Sequence, residues 1–163
     1  MMTATRSPHN RLASLISGQL WGMAFKLWHV PLRLATGAYI LNSGLSKRNA
    51  DKETAEHLHG FASGAYPQFK ETPPDQFVRM LSAGEIAVGA ALLNPFVSAG
   101  VAGAALTGFA ALFGGLYWRT PGLHEEGSLR PTEQGVAIAK DAWMLGIGSA
   151  LVLDAVTSHL PGR

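Results

Sequence analysis

From Ile86 to Trp118 the chain runs for 33 residues without a formal charge. About 20 apolar residues cross a bilayer as a helix, so this run is too long for one ordinary span. Asn94-Pro95 divides it, because proline has no backbone N–H to give to a helix. The pattern predicts a tight hairpin, one helix from about Pro73 to Leu93 and the next from about Phe96 to Trp118. A third apolar run, Val136 to Val156, carries Lys140 and Asp141 near its start and Asp154 near its end. It can span if those charges sit near headgroups or face protein. Upstream, Leu12 to Phe25 and Leu34 to Ser46 are uncharged, with Lys26, Pro31 and Arg33 between them. Leu32 to Leu45 reads as the core of a first span that starts near Trp28 or earlier. Residues 12–26 either extend that helix or lie along the interface.

Four spans of roughly 20 residues would use about half of the 163 residues. The predicted fold is all-α: a polytopic membrane four-helix bundle with a tight second-to-third helix hairpin. The expected division is a tail and interfacial or extended helix over 1–27, a four-span domain over 28–158 and a short tail over 159–163. Met1 to Arg11 is too polar for a signal-peptide core, and the next apolar run lacks a small-residue cleavage site. That segment is expected to stay in the mature chain.

Composition agrees. Only 15% of residues are charged, against about 25% in a typical soluble domain. Mean hydropathy is a modest +0.14, so the apolar residues must be concentrated, as they are. There is no cysteine, which excludes disulfides, thiol relays and Cys-ligated metal clusters on this chain.

The first loop has a pattern of its own. Ala55, Leu58, Phe61, Ala62, Ala65, Tyr66 and Phe69 recur near helical spacing after a charged stretch. This predicts a short amphipathic helix on the membrane surface. Thr72-Pro73-Pro74-Asp75 then reads as a helix start, with Thr72 as cap. Small residues favour close helix approach in lipid. They recur as Ser14, Gly18 and Gly22; as Gly84, Ala87 and Gly89 with Ala90 and Ala91; as Gly100, Ala104 and Gly108; and as Gly146, Gly148 and Ala150. Trp21, Trp28, Trp118 and Trp143 are candidate interface anchors.

Glu85 is the most informative ionisable residue. A carboxylate in mid-span must be protonated, paired or facing a polar cavity. Arg33 is its expected partner. Lys47 ends the first span and Lys140-Asp141 opens the last; the three either reach headgroups or form one charged cluster on the loop side. Asp154 reads as a water-exposed residue near the opposite end. His29 and Arg33 share a helical face, but no second embedded histidine accompanies His29, so metal or haem ligation is the weaker reading. No phosphate loop, zinc-protease motif, serine triad or basic stripe for nucleic acid is present.

Two stretches carry a resemblance. Leu32-Arg33-Leu34-Ala35-Thr36-Gly37 followed by Gly44-Leu45-Ser46-Lys47, and Ala83-Gly84-Glu85-Ile86 followed by Gly89, resemble the DoxX-like family of small integral membrane proteins. Lys140 before the last apolar run has a family counterpart too. The resemblance covers roughly Leu32 to Ala155. It implies a four-helix membrane bundle in a prokaryotic plasma membrane with both termini cytoplasmic. It implies that Arg33, Gly37, Gly44, Lys47, Gly84, Glu85, Gly89 and Lys140 match recurrent positions, to which Asp141 adds a polar neighbour. Charge count points the other way on orientation. Lys47, Arg48, Lys52, Lys70, Arg79, Arg119, Arg130 and Lys140 outnumber Arg6, Arg11, Lys26 and Arg163, and cations favour the cytoplasmic side.

The expected function is an accessory or anchoring membrane subunit of a respiratory or redox complex, more simply non-catalytic by itself. A quinone-linked oxidoreductase component is the alternative, with Arg33, Lys47 and Glu85 as quinone contacts. A small-solute or proton carrier is the third class. No resident cofactor is expected beyond a bound quinone or lipid. Expected partners are membrane lipids and other integral membrane subunits, with no nucleic acid.

Overall fold

A computed structural model describes residues 26–158. The upstream segment, with its candidate interfacial helix, Trp21 and the Ser14, Gly18, Gly22 series, lies outside the described residues, as does the tail 159–163. The described chain is helical apart from loops and one isolated bridge between His124 and Pro131. Helix α1 is His29–Lys47, α2 is Lys52–Ala65, α3 is Pro74–Leu93 and α4 is Ala99–Arg119. A four-residue helix α5, Val136–Ala139, leads into α6, Ala142–Ser158.

Each boundary has a local cause. Pro31 falls in the first turn of α1, where its missing N–H would have no partner anyway. Asp51 caps α2 by accepting from the Thr54 amide at 2.8 Å. That bond holds the Asp51 carboxyl below the usual carboxylate range, so the cap is intact at neutral pH and is lost as pH falls through the lowered value. Thr72 does not cap α3. The helix starts at Pro74 with Pro73 in the cap position and no side-chain cap, because two prolines shift the first helical residue one place on. Asn94 precedes a proline and is extended, which ends α3. Ser98 accepts from the Val101 amide and opens α4. The last apolar run breaks at Lys140 and Asp141, between α5 and α6.

Three helices are long and apolar enough to cross a membrane: Pro74–Leu93, Ala99–Arg119 and the combined Val136–Ser158. Helix α1 has 19 residues but is not among them. The packing also suits lipid. Leu34, Met80, Val101, Leu112, Leu145 and Leu153 are exposed, whereas His29, Arg33, Thr36, Ser82 and Glu85 are buried. A water-soluble domain shows the opposite arrangement. The chain is a multi-span, all-helical integral membrane protein.

The bundle has two unlike halves. Helix α1 runs antiparallel to α3 and makes its largest contact there; α4 does the same with α6. The short Asn94–Ser98 connection joins α3 to α4, whose mutual contact is much smaller. Among the described residues, the buried polar side chains His29, Arg33, Thr36, Ser82 and Glu85 all lie on α1 and α3. The α4–α6 contact is made of small and apolar groups. A Cβ on Gly103 would lie 2.8 Å from the Gly148 carbonyl oxygen, and one on Gly148 would lie 2.8 Å from the Thr107 amide nitrogen. Of the row Gly100, Ala104, Gly108, only Gly100 reaches α6, where its Cβ would lie 3.0 Å from the Ala155 Cβ; Ala104 and Gly108 are exposed, and a Cβ on Gly108 or Gly146 meets nothing within 4 Å. Ile40, Leu92, Ala102, Leu106, Ala110, Met144 and Leu151 form the main core between the halves.

Helix α2 lies at the loop end. Ala55 packs with Phe77 and Val78 of α3, flanked by Leu58, Ala62 and Phe69. The Tyr66 hydroxyl donates to the Leu112 carbonyl of α4 at 2.7 Å, and the Arg119 guanidinium sits 4.9 Å above the Tyr66 ring. Thus α2 bridges α3 and α4.

Candidate functional site

The α1–α3 seam holds most of the candidate residues, and their register decides what they do. Going along α1, a Cβ on Gly37 would meet Leu92 and Leu93, and one on Gly44 would meet Glu85 and Ile86. From α3, a Cβ on Gly89 would lie 2.6 Å from the Leu41 amide nitrogen. Three glycines thus let two backbones touch. Gly84 does not belong to this contact, since a Cβ there meets nothing within 4 Å.

This register separates Arg33 from Glu85. Arg33 stands at the start of α1, beside the end of α3, while Glu85 lies opposite Gly44. The separation along α1 is about 16 Å. The expected Arg33–Glu85 pair is therefore absent. Instead the Arg33 guanidinium donates to backbone carbonyls: Nε to Leu92 at 2.8 Å, Nη2 to Ala91 at 3.0 Å and to Asn94 at 2.8 Å, and Nη1 to Val97 at 3.1 Å. The last carbonyls of a helix have no partner within it, and a cation is favoured at that end of the helix dipole. Arg33 satisfies both needs and fixes the turn into α4.

Lysine cannot present this fork. Arg33→Lys should lower stability in detergent by about 2 kcal/mol, the scale of one charge-assisted hydrogen bond lost. Unfolding midpoints of the purified protein check this; an unchanged midpoint would remove the capping role.

Glu85 pairs with Lys47. The Lys47 ammonium lies 3.0 Å from Glu85 Oε2 and 2.6 Å from Ser43 Oγ. The Glu85 side chain is only 4% exposed and that of Lys47 21%. Ser82 donates to the Gly44 carbonyl at 2.8 Å beside them. The carboxylate is buried among α1 and α3, while the ammonium reaches it from the loop end, where it also lines a cavity.

At the opposite end, Asp154 is engaged as well. The Lys26 ammonium lies 2.6 Å from Asp154 Oδ1, and His29 Nε2 lies 3.2 Å from Oδ2. This corrects the expectation of a water-exposed Asp154; the start of α1 folds against the end of α6 and covers it. The three interior carboxylates have separate surroundings: Asp154 with Lys26, Glu85 with Lys47, and Asp141 at the loop end. Asp141 makes no ion pair with Lys47 or Lys140 among the described residues. Thr36 is fully buried, and its hydroxyl oxygen has no partner among the described residues.

Interface aromatics occur at both ends. Trp28 is 46% exposed at one and Trp118 is exposed at the other, while the partly exposed Trp143 lies deeper, beside the middle of α1. Trp118 stacks on His124 at 5.0 Å, and Trp143 meets Tyr39 edge-on at 6.1 Å.

The chain matches no family model, no curated protein and no solved structure. Among the features that sequence reasoning missed are the Arg33 cap and, like the Lys47–Glu85 pair, the Lys26–Asp154 pair. Both join residues far apart in the chain, and only the antiparallel register brings them together.

Proposed function

We propose that this protein is an accessory or anchoring subunit of a membrane respiratory or redox complex. One observation carries the anchoring part. Three of the interior charged groups are spent on holding this chain together: Arg33 on carbonyls, Glu85 on Lys47, and Asp154 on Lys26. Meanwhile the outward faces are apolar, with Leu34, Met80, Leu112 and Leu153 exposed. Such a chain offers surfaces to lipid and to other membrane helices rather than free catalytic groups.

The redox part rests on the DoxX-like resemblance of Leu32–Gly37, Gly44–Lys47 and Ala83–Ile86. So does a four-span bundle. What supports α1 as the fourth span is its sidedness. His29, Arg33 and Thr36 are buried, while Leu34, Ala35, Ala38, Tyr39 and Leu45 face outward, with Asn42 and Ser46 the polar exceptions. A helix too polar by composition can lie in lipid when its polar groups face protein. The resemblance also suggests a prokaryotic plasma membrane with cytoplasmic termini, whereas the cations of the loop end favour the reverse orientation.

The test is purification from native membranes in mild detergent. The reading predicts stoichiometric partner subunits and no redox spectrum from the isolated chain. Absence from every stable complex would contradict it.

A second reading, a quinone-linked component, is favoured by one feature: Lys47 touches both buried Glu85 and the loop-end cavity. On that reading Lys47 and Glu85 face the head group, and Arg33 acts at a distance by holding α3. Copurified quinone should then be lost in Glu85→Gln; unchanged occupancy would remove the assignment.

A further inference from the structure

A cavity of about 470 Å³ lies at the loop end, where α1 stops and α2 and α3 begin. Its cations are Lys47, Arg48, Lys52 and Arg79. Ala50, Ala55 and Val78 supply an apolar wall. Three carboxylates also line it: Asp51, Glu56 and Asp75. Four cations face three carboxylates, and Lys47 is offset by Glu85 from outside the lining, so the lining is neutral overall and the engagement of each group decides which is free to bind. Asp51 is used by the α2 cap. Glu56 meets Lys52 at 3.7 Å and Asp75 meets Arg79 at 2.7 Å, both pairs one helical turn apart and more than half exposed. Exposed pairs of this kind contribute little and yield to a stronger partner. Lys47 is committed to Glu85. Arg48 has no carboxylate partner among the described residues.

We propose that this cavity binds a phosphate group at the membrane–water boundary, with Arg48 and Arg79 as its principal donors. Arginine presents a planar fork that matches phosphate oxygens. Lys52 adds a third cation. The α3 N-terminus opens on the same space without a side-chain cap; Pro73 and Pro74 have no N–H, so the amides of Asp75 and Gln76 are the ones left to add positive potential there. The charged rim and the apolar wall together suit a headgroup whose phosphate is held at the rim while the rest of the molecule continues into lipid. Basic pockets between membrane helices recognise anionic headgroups in this way. The site is independent of the subunit role proposed above, since it needs no partner chain.

The test uses the full chain purified in mild detergent. Native mass spectrometry measures retained phosphatidylglycerol against phosphatidylcholine for the unaltered protein, for Arg48→Ala/Arg79→Ala and for Lys70→Ala/Arg130→Ala. The last pair removes two cations from the same end but outside the cavity. Preferential phosphatidylglycerol retention should fall about tenfold or more in the first variant and by less than about twofold in the second. Equal retention by the unaltered protein and Arg48→Ala/Arg79→Ala would overturn the site. An equal loss in Lys70→Ala/Arg130→Ala would overturn it too, since general surface charge would then account for binding. A parallel arm adds inorganic phosphate at constant ionic strength. Failure to displace the lipid supports a headgroup site; displacement with thermal stabilisation of the unaltered protein alone supports a site for free phosphate.

Discussion

Lys47→Met should destabilise the protein by about 3–5 kcal/mol, the range for removing one partner of a buried ion pair. The reason is the asymmetry of exposure. Glu85 sits 4% exposed between α1 and α3, with Lys47 as its cationic contact at 3.0 Å. Without that ammonium the carboxylate must take up a proton or draw in water. Glu85→Gln should cost less, about 1–2 kcal/mol. Lys47 would keep Ser43 Oγ at 2.6 Å and can extend toward the cavity it lines. Replacing both residues by apolar ones, Lys47→Met with Glu85→Leu, should recover most of the loss, because neither charge is then left unpaired. Unfolding in detergent for the three variants reads this order directly. Equal effects of the two single substitutions would mean that the pair is hydrated and that the seam is not closed.

Gly89→Val should cost about 3 kcal/mol or more, at or above the upper end for overpacking. A Cβ at Gly89 would lie 2.6 Å from the Leu41 amide nitrogen and 2.8 Å from the Leu41 Cα. Backbone cannot move aside as a side-chain tip can, so α1 and α3 must separate. That separation would also pull Arg33 from the α3 carbonyls and Lys47 from Glu85, and the three losses are coupled. Gly84→Ala is the matched control. It lies in the same helix with open space beside it, and alanine favours helix by up to about 1 kcal/mol over glycine. Its stability should be unchanged or raised. Equal destabilisation by both substitutions would show that glycine content alone, and not register, matters in α3.

The contrast between these glycines shows how far the sequence can be read. Helices α3 and α4 were legible because their ends carry signals that act locally. Pro73-Pro74 and Asn94-Pro95 each restrict a few neighbouring residues; the start of α4 was expected near Phe96 and lies at Ala99, because the Ser98 cap went unread. The α2 helix was legible for a similar reason, from its charged start and its apolar spacing. Facing was not. Gly84 and Gly89 look alike in the sequence, as do Gly103 and Gly108, and the partner helix decides which of each must be small. The same holds for charges. Arg33 and Glu85 look like partners when both are simply within spans. The antiparallel register instead brings Arg33 to Leu92 and Glu85 to Lys47. Lys26 meets Asp154 only because α1 begins where α6 ends.

Cysteine accessibility tests the central claim, that α1 and three apolar helices cross the membrane with buried polar groups between α1 and α3. The absence of native cysteine makes each introduced thiol the sole target. Leu27→Cys, Phe96→Cys and Thr157→Cys mark the end where α1 begins; Gln68→Cys and Leu129→Cys mark the loop end. In sealed vesicles, a membrane-impermeant thiol reagent should label the first three from one side only and the last two from the other side only. Labelling of Leu27→Cys together with Gln68→Cys would contradict a membrane-crossing α1, and labelling of all five from one side would contradict the account as a whole.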